Sequence, residues 1–198
     1  MKLLLFVHTF NILSRKSHKV KLLYRLRMYL NTESLNMVYK AIIQSLIDYC
    51  ITVWGNTSTS ILHCVQRLQN RAARAVLGNF DFKASVTSMI SQLGWMNVKQ
   101  RYHYFLGILV YKCLQNMAPS YLCEKFSFVK DRLCMEYQTR SCTQDLLDIP
   151  RPNVEIFKRS LNYAGSVFWN SLPSSLRSIG DLSLFKEKLK LHVLTSLS

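Results

Sequence analysis

The sequence predicts an all-α protein, an irregular bundle of about six to eight helices with at most a small β-ribbon near 140–160. Apolar residues recur at helical spacing along most of the chain, and Gly, Pro, Asn or Ser follows each apolar stripe. Hydrophobic residues make up 49% and aromatic residues 12%, which is enough to form a core. We expect one domain over 1–198: a basic helical core at 15–126, a loop-rich insert at 127–160 and C-terminal helices at 161–198.

The clearest helix runs from Ile61 to Gly78, where the glycine is placed to end it and the Ser/Thr run 58–60 supplies N-caps. One face is apolar: Ile61, Val65, Leu68, Ala72, Ala75 and Val76. The opposite face is polar and basic: His63, Arg67, Asn70, Arg71 and Arg74. We name Arg67, Arg71 and Arg74 the arginine stripe. No acid falls in this stretch, so the stripe is either a solvated face or an anion-binding surface.

Two helices are predicted before it. Residues 15–30 form a basic amphipathic helix whose rim is positive: Lys16, Lys19, Lys21, Arg25 and Arg27. Asn31-Thr32 ends this helix and caps the next, which is expected to run without interruption from about Glu33 to Val53. The expected core stripe of the second helix is Leu35, Val38, Tyr39, Ile42, Leu46, Tyr49 and Val53.

The next helices are predicted at Ser85–Leu93, ended by Gly94, and from Val98 to about Met117, capped by Asn97. The buried positions of the longer helix are expected to be Val98, Tyr102, Phe105, Leu106, Leu109, Cys113 and Met117. Three basic residues are expected in solvent: Lys99, Arg101 and Lys112.

The insert mixes charges of both signs with isolated apolar residues, so we expect loop and a short ribbon pairing Asp145–Ile149 with Val154–Lys158. A helix is expected at Leu161–Ser171, anchored by Phe168 and Trp169 and followed by Pro173. A final helix is expected at Ser183–Leu194. Its apolar side would consist of Leu184, Phe185, Leu189 and Val193.

The charge is strongly positive and unevenly distributed. Lys and Arg total 26 against 11 acids, a formal net charge of +15. Residues 1–40 hold eight basic residues and one acid, and residues 49–123 hold seven basic residues and one acid. A polyanion would relieve the self-repulsion, which makes nucleic acid the first candidate partner and an acidic membrane surface the second.

The six cysteines include no C-x-x-C pair, so we predict no zinc site, no other metal site and no cofactor. We interpret them as reduced cysteines of an intracellular protein of the nucleus or cytoplasm, with Cys50, Cys64 and Cys113 on buried faces. No stretch is long and apolar enough for a membrane span. The run Leu3–Val7 is too short for a signal peptide, and Met1 reads as a start within, or a truncation of, a longer protein.

Nine short words of the sequence, in one order, resemble non-long-terminal-repeat retrotransposon reverse transcriptases of the jockey-like, LINE-type class. They begin with YKAIIQSLIDYCITVWG (Tyr39–Gly55) and LQNRAARAVLG (Leu68–Gly78), and continue with LGW (Leu93–Trp95), YKCLQNMAPSYL (Tyr111–Leu122), TRS (Thr139–Ser141), IPRPN (Ile149–Asn153), KRSLNYAG (Lys158–Gly165), WNSLPSSLR (Trp169–Arg177) and FKEKLK (Phe185–Lys190). The resemblance covers roughly residues 20–195, nearly the whole chain.

In that family these words lie after the polymerase palm, in the thumb and the region beyond it. The resemblance therefore implies a role in holding RNA or an RNA/DNA primer-template. The family's Tyr/Phe-x-Asp-Asp motif has no match, and the chain contains no Asp-Asp pair. Polymerisation needs clustered carboxylates that hold two metal ions, and the isolated Asp48 and Asp81 cannot form such a cluster. We expect a non-catalytic fragment with no catalytic residue.

The residues expected to contact nucleic acid are Arg67, Arg71, Arg74, Lys16, Lys19, Lys21, Arg25 and Arg27. Five aromatic residues could stack on bases but are better interpreted as core: Tyr24, Tyr29, Trp54, Trp95 and Tyr104. A helical protein-interaction module and an open reading frame with no selected function are the alternatives.

Overall fold

The computed structural model of the chain describes residues 17–81, 83–132 and 145–196. Over these residues the regular structure is helical, which confirms the all-α fold class. The chain divides into two compact units, with the boundary between Arg101 and Tyr102. Each unit is described separately, and the single domain expected from the sequence stays a prediction.

Unit 1 consists of helices joined by short loops. Its elements are α1 (Ser17–Leu26), α2 (Thr32–Tyr39), a π-helical segment (Lys40–Gln44), α3 (Ser45–Asp48), α4 (Ile51–Trp54), α5 (Thr59–Leu77), α6 (Val86–Gln92) and the start of α7 (Val98–Leu114). Helix α5 packs against α1, α2 and α6, so it lies at the centre of this unit.

The helix boundaries of unit 1 follow local capping rules. The Asn31 side chain accepts a hydrogen bond from the Ser34 N–H (2.8 Å), as expected for the N-cap of α2. Asn97 and Gln100 form a reciprocal cap at the start of α7, each side chain accepting from the other's backbone N–H at 2.8 Å. Gly78 follows α5 with φ +69°, a conformation that glycine adopts without strain. These boundaries confirm the sequence predictions.

The uninterrupted helix predicted from Glu33 to Val53 is wrong. A π-helical segment interrupts it, and Cys50 takes a left-handed conformation (φ 52°) between α3 and α4. A π turn holds more residues than the 3.6 of an α turn, so every fourth residue stays on the core side. The buried positions are Leu35, Tyr39, Ile43, Ile47, Ile51 and Trp54. Tyr49 and Val53, predicted as core, are exposed.

Arg101 is buried, which contradicts its predicted place in solvent. Its Nε donates to one carboxylate oxygen of Asp48 at 2.6 Å, and Nη2 donates to the other. The Arg101 side chain is only 8% exposed and that of Asp48 22%, so this is a largely desolvated, bidentate ion pair. Asp48 therefore compensates the positive charge of Arg101 within unit 1.

Unit 2 contains the rest of α7 and several shorter helices. They are α8 (Ser120–Cys123), α9 (Val129–Arg132), a 3₁₀ helix (Glu155–Arg159), α10 (Leu161–Ser171), α11 (Ser174–Arg177) and α12 (Leu182–Ser196). Helix α7 ends before Met117, which is 58% exposed rather than buried as predicted. Leu184 is also exposed, whereas Phe185, Leu189 and Val193 of α12 are buried as predicted.

The predicted ribbon of Asp145–Ile149 with Val154–Lys158 is wrong. Leu147 instead forms an isolated antiparallel bridge with Phe128, and the second predicted strand is the 3₁₀ helix. The Asn170 side chain donates to the Leu147 carbonyl and accepts from its N–H, both at 2.8 Å. One amide side chain thereby takes the place of the expected partner strand.

Among the described helices, none has both the length and the hydropathy that a bilayer crossing demands. Four cysteines of the described residues are free thiols. Cys113 is buried and Cys50 half-buried, but Cys64 is exposed, which contradicts its predicted buried position. Cys134 and Cys142 lie outside the described residues.

Candidate nucleic-acid interface

Helix α5 presents the arginine stripe on its outer side. Its inner side buries Val65, Leu68, Gln69, Ala72, Ala73, Ala75 and Val76. Arg67 and Arg71 are exposed and Arg74 is half-buried. Residues four apart on a helix are neighbours, so the charges of Arg67 and Arg71 lie side by side and repel each other. The two exposed guanidinium groups form the accessible part of the predicted site.

A buried glutamine fixes how α5 is rotated. Gln69 is fully buried, and its Nε2 donates to the Tyr39 hydroxyl (3.2 Å) and to the Met96 carbonyl (2.9 Å). Trp95 stacks on Tyr39 with a centroid distance of 3.6 Å, and its Nε1 donates to Asn36 Oδ1 at 2.9 Å. Since a buried amide requires partners, α5 must keep Gln69 inward and the stripe outward. Burial also raises the pKa of Tyr39 to about 12, which keeps its hydroxyl protonated.

A second glutamine connects α5 to the start of α7. The Gln66 side chain accepts from the Val98 N–H at 2.9 Å and donates to Gln69 Oε1 at 3.0 Å and to Asn70 Oδ1 at 2.8 Å. The sequence pattern predicted neither glutamine as buried, because a polar residue within a helix is normally placed in solvent. The only sequence signal is that Gln69 adjoins Leu68 on the apolar side of the helix.

Helix α1 packs along α5, and side chains near its C-terminal end hold the two together. The Tyr24 hydroxyl donates to the Arg71 carbonyl at 3.3 Å. Arg27 lies just after α1, and its Nη1 donates to the carbonyls of Ala75 (3.0 Å) and Val76 (3.4 Å) in the last turn of α5. A cation at this position satisfies terminal carbonyls and complements the negative end of the helix. Arg27 thus has a structural role beside its predicted phosphate contact.

The other predicted contacts of the first basic helix are distributed around α1. Lys21 and Arg25 are exposed and Lys19 is half-buried. Lys16 lies outside the described residues. The structure therefore brings the basic rim of α1 and the arginine stripe onto two helices in contact, although not every predicted residue is equally accessible.

Few acidic groups are available to neutralise this surface. Neither α1 nor α5 contains an Asp or Glu. Within the described residues, neither Arg67 nor Arg71 forms a salt bridge; Arg67 donates instead to the Cys64 sulfur at 3.2 Å. The accessible charge of the two packed helices is therefore positive and uncompensated by their own side chains.

The aromatic residues divide between core and surface. Trp54 and Trp95 are buried, in agreement with their interpretation as core, whereas Tyr29 is 85% exposed. Tyr24 and Tyr104 are half-buried. Phe80, which the sequence pattern did not indicate, is 55% exposed and lies beside Tyr24.

No described carboxylates are arranged as a metal centre. Across residues 17–81, 83–132 and 145–196 there is no group of three or more His, Cys, Asp or Glu that could hold an ion. Asp48 is paired with Arg101, and Asp81 accepts a hydrogen bond from the Lys83 N–H at 2.9 Å. The basic side chains of the described arrangement can attract and position an anion.

No protein-family model, curated protein or solved structure matches this chain. The resemblance to reverse transcriptases therefore depends only on the sequence words described above.

Proposed function

We propose that the chain is a non-catalytic fragment derived from a retrotransposon reverse transcriptase, and that it binds RNA or an RNA/DNA primer-template inside the cell through a basic helical face. The observation that carries the proposal is the packing of α1 against α5, two helices that contain no acidic residue. Arg67 and Arg71 on α5 and Lys21 and Arg25 on α1 provide its accessible charge.

Phosphate groups are suitable ligands for this surface. Each Lys or Arg that neutralises a phosphate releases condensed counterions, so a row of unpaired cations gains affinity from every contact. The like charges of Arg67 and Arg71 destabilise the free helix, and a bound phosphate removes that repulsion. Contacts of this kind position a nucleic acid without selecting its sequence.

The proposal assigns no polymerase chemistry to this chain. Phosphoryl transfer by two metal ions requires carboxylates that converge on both ions. Asp48 and Asp81 instead have other partners, as described above. Purified protein supplied with primed template, nucleotides and magnesium or manganese should incorporate no nucleotide above background. Template-dependent extension that survives removal of contaminating polymerases would contradict the non-catalytic assignment.

The decisive test is the double substitution Arg67→Gln/Arg71→Gln. Glutamine keeps the helix propensity nearly unchanged, so the far-ultraviolet spectrum and Tm should stay close to those of the parent. If each arginine neutralises one phosphate of a single strand, the slope of log K against log[salt] should become shallower by roughly 1.4. Affinity for RNA at moderate salt should fall about tenfold, measured by fluorescence anisotropy.

A matched control separates a specific site from bulk charge. Lys188→Gln/Lys190→Gln removes the same two charges from exposed positions of α12. It should change the affinity by less than about twofold, because no phosphate contact is lost. Equal losses from both double variants would show that only net charge matters and would remove the arginine stripe as a site.

One observation favours the alternative of a protein-interaction module. Val154, Ile156 and Phe157, at and within the 3₁₀ helix of unit 2, are 52%, 69% and 61% exposed. Neighbouring exposed apolar side chains are typical of contact surfaces. This alternative becomes the better account if neither double variant weakens RNA binding.

A further inference from the structure

Phe80 lies beyond the C-terminal end of α5, beside Tyr24 and Arg27, and more than half of its surface is exposed. Its ring lies 5.8 Å from that of Tyr24, with an interplanar angle of 29°. The Arg27 guanidinium carbon lies 5.9 Å from the centre of the same ring. Phe80 is 55% exposed despite these two contacts, so more than half of the residue remains open to solvent.

Both neighbours of Phe80 are themselves tied to α5. The Tyr24 hydroxyl donates a hydrogen bond to the Arg71 carbonyl. Arg27 Nη1 donates to the carbonyls of Ala75 and Val76. These contacts hold the Phe80 ring near the backbone of Arg71, which is one of the two exposed arginines of the stripe. Asp81, the adjacent acid, is engaged by the Lys83 N–H. A cationic and an aromatic group are thus combined at one edge of the surface.

We propose that Phe80 is a stacking platform for an unpaired base of a single-stranded nucleic acid, with the phosphate backbone of that strand held by Arg71 and Arg67. This inference rests on the proposed function and specifies its ligand. Aromatic side chains stack on any base, and a positively charged groove beside them follows the backbone. Bases within a duplex are already stacked on one another, so the platform selects single strands or splayed ends.

The direct test compares Phe80→Leu with the parent, using a fluorescein-labelled unstructured RNA and the duplex of the same RNA with its complement. Leucine keeps an apolar contact with Tyr24 but has no ring to stack. Affinity for the single strand should fall roughly tenfold, and affinity for the duplex should change less than about twofold. Phe157→Leu is the matched control, since Phe157 is similarly exposed (61%) and lies in unit 2. It should change neither affinity.

A second variant keeps the proposal testable if Phe80→Leu folds poorly. Phe80→Trp retains a stacking ring and introduces a fluorophore at the platform, whereas the native Trp54, Trp95 and Trp169 are buried. Single-stranded RNA should quench the additional tryptophan emission, and the variant should bind at least as tightly as the parent. A purely structural Phe80 would produce no quenching.

The outcomes separate this inference from the proposed function. Loss of binding in the double arginine variant, with unchanged binding in Phe80→Leu and no quenching in Phe80→Trp, would overturn the platform and leave the basic interface standing. Equal weakening of single-strand and duplex binding by Phe80→Leu would also overturn it. Full binding by the double arginine variant would reject the proposed function, whatever the Phe80 variants show.

Discussion

The two units differ in their acid content and in the exposure of their ion pairs. The first 101 residues carry 14 Lys and Arg against 3 Asp and Glu, whereas the remaining 97 carry 12 against 8. Unit 1 places one of its few acids, Asp48, in a nearly buried pair with Arg101. Unit 2 forms exposed pairs, Lys130 with Asp145 at 3.1 Å and Lys158 with Glu155 at 2.7 Å.

This difference shows that acid content and acid placement both determine the charge of a protein surface. Glu33 lies in the first turn of α2, Asp48 is engaged by Arg101 and Asp81 by a backbone N–H. None of these three acids forms a salt bridge with Arg67 or Arg71. The acids of unit 1 therefore leave Arg67 and Arg71 without a salt-bridge partner, whereas Asp145 and Glu155 of unit 2 pair with exposed lysines.

The largest expected effect is the difference between breaking the nearly buried ion pair of unit 1 and breaking an exposed ion pair of unit 2. Asp48→Asn removes the charge that compensates a buried guanidinium and should lower the free energy of unfolding by about 3 kcal/mol. Asp145→Asn, whose pair with Lys130 is about half exposed, should change it by less than about 0.5 kcal/mol. Asparagine also tolerates the left-handed backbone of that residue (φ 48°). Urea unfolding of both variants measures the contrast, and equal losses would contradict it.

The thiols provide a second contrast between the units. Burial raises the pKa of Cys113 to about 11 from its ordinary 9.0, which lowers its thiolate fraction about a hundredfold at neutral pH. Cys64 on α5 is exposed. In the native protein a thiol reagent should therefore label Cys64 at least about a hundred times faster than Cys113. Mass spectrometry of the labelled peptides measures both rates, and rapid labelling of Cys113 would show that its site opens readily.

Two glycines of unit 1 test the contact that holds α1 against the end of α5. Gly78 and Gly94 both have positive φ, so alanine at either should cost about 1–2 kcal/mol of unfolding free energy. A Cβ at Gly78 would also overlap the Arg27 guanidinium, whereas none of the heavy atoms described lies within 4 Å of one at Gly94. Gly78→Ala should therefore be more destabilising by about 1 kcal/mol, because Arg27 must leave its carbonyl acceptors.

The comparison fails if thermal and urea unfolding show equal losses for the two glycine variants. Gly78→Ala should also weaken single-strand binding more than Gly94→Ala, since displaced Arg27 no longer supports Phe80. Retained single-strand binding would mean that Phe80 keeps its position without Arg27.

The smallest expected effect is a loss of unfolding free energy at alkaline pH, and it should be similar in both units. Burial raises the pKa of Tyr39 and of Tyr102 to about 12 from 10.0. The raised pKa of the folded state gives stability that is complete below pH 10 and lost as pH rises toward 12, because the unfolded chain ionises first. Ionisation of each tyrosine in the unfolded chain should lower the free energy of unfolding by about 1 kcal/mol between pH 9 and pH 11. Tyr39→Phe and Tyr102→Phe should each reduce that pH dependence, and a parallel dependence in all three proteins would contradict the assignment.

Local rules were sufficient for most helix boundaries and for the outward position of Arg67 and Arg71. The caps at Asn31 and Asn97 act within three residues, and Gly78 needs only its own backbone freedom. The apolar periodicity of α5 also chose its buried side correctly. The same periodicity failed beyond Lys40, because it assumes an α-helical turn that the π segment does not have.

Contacts between distant residues could not be read from such patterns. Asp48 and Arg101 are 53 residues apart, and Arg27 and Ala75 are 48 apart. An arginine in an isolated helix is best placed in solvent, and only a partner brought by folding makes its burial favourable. Phe80 likewise meets Tyr24 and Arg27 only when these residues fold against α5. Periodicity selects the face that is buried, whereas packing selects the groups that meet there and the charges that remain outside.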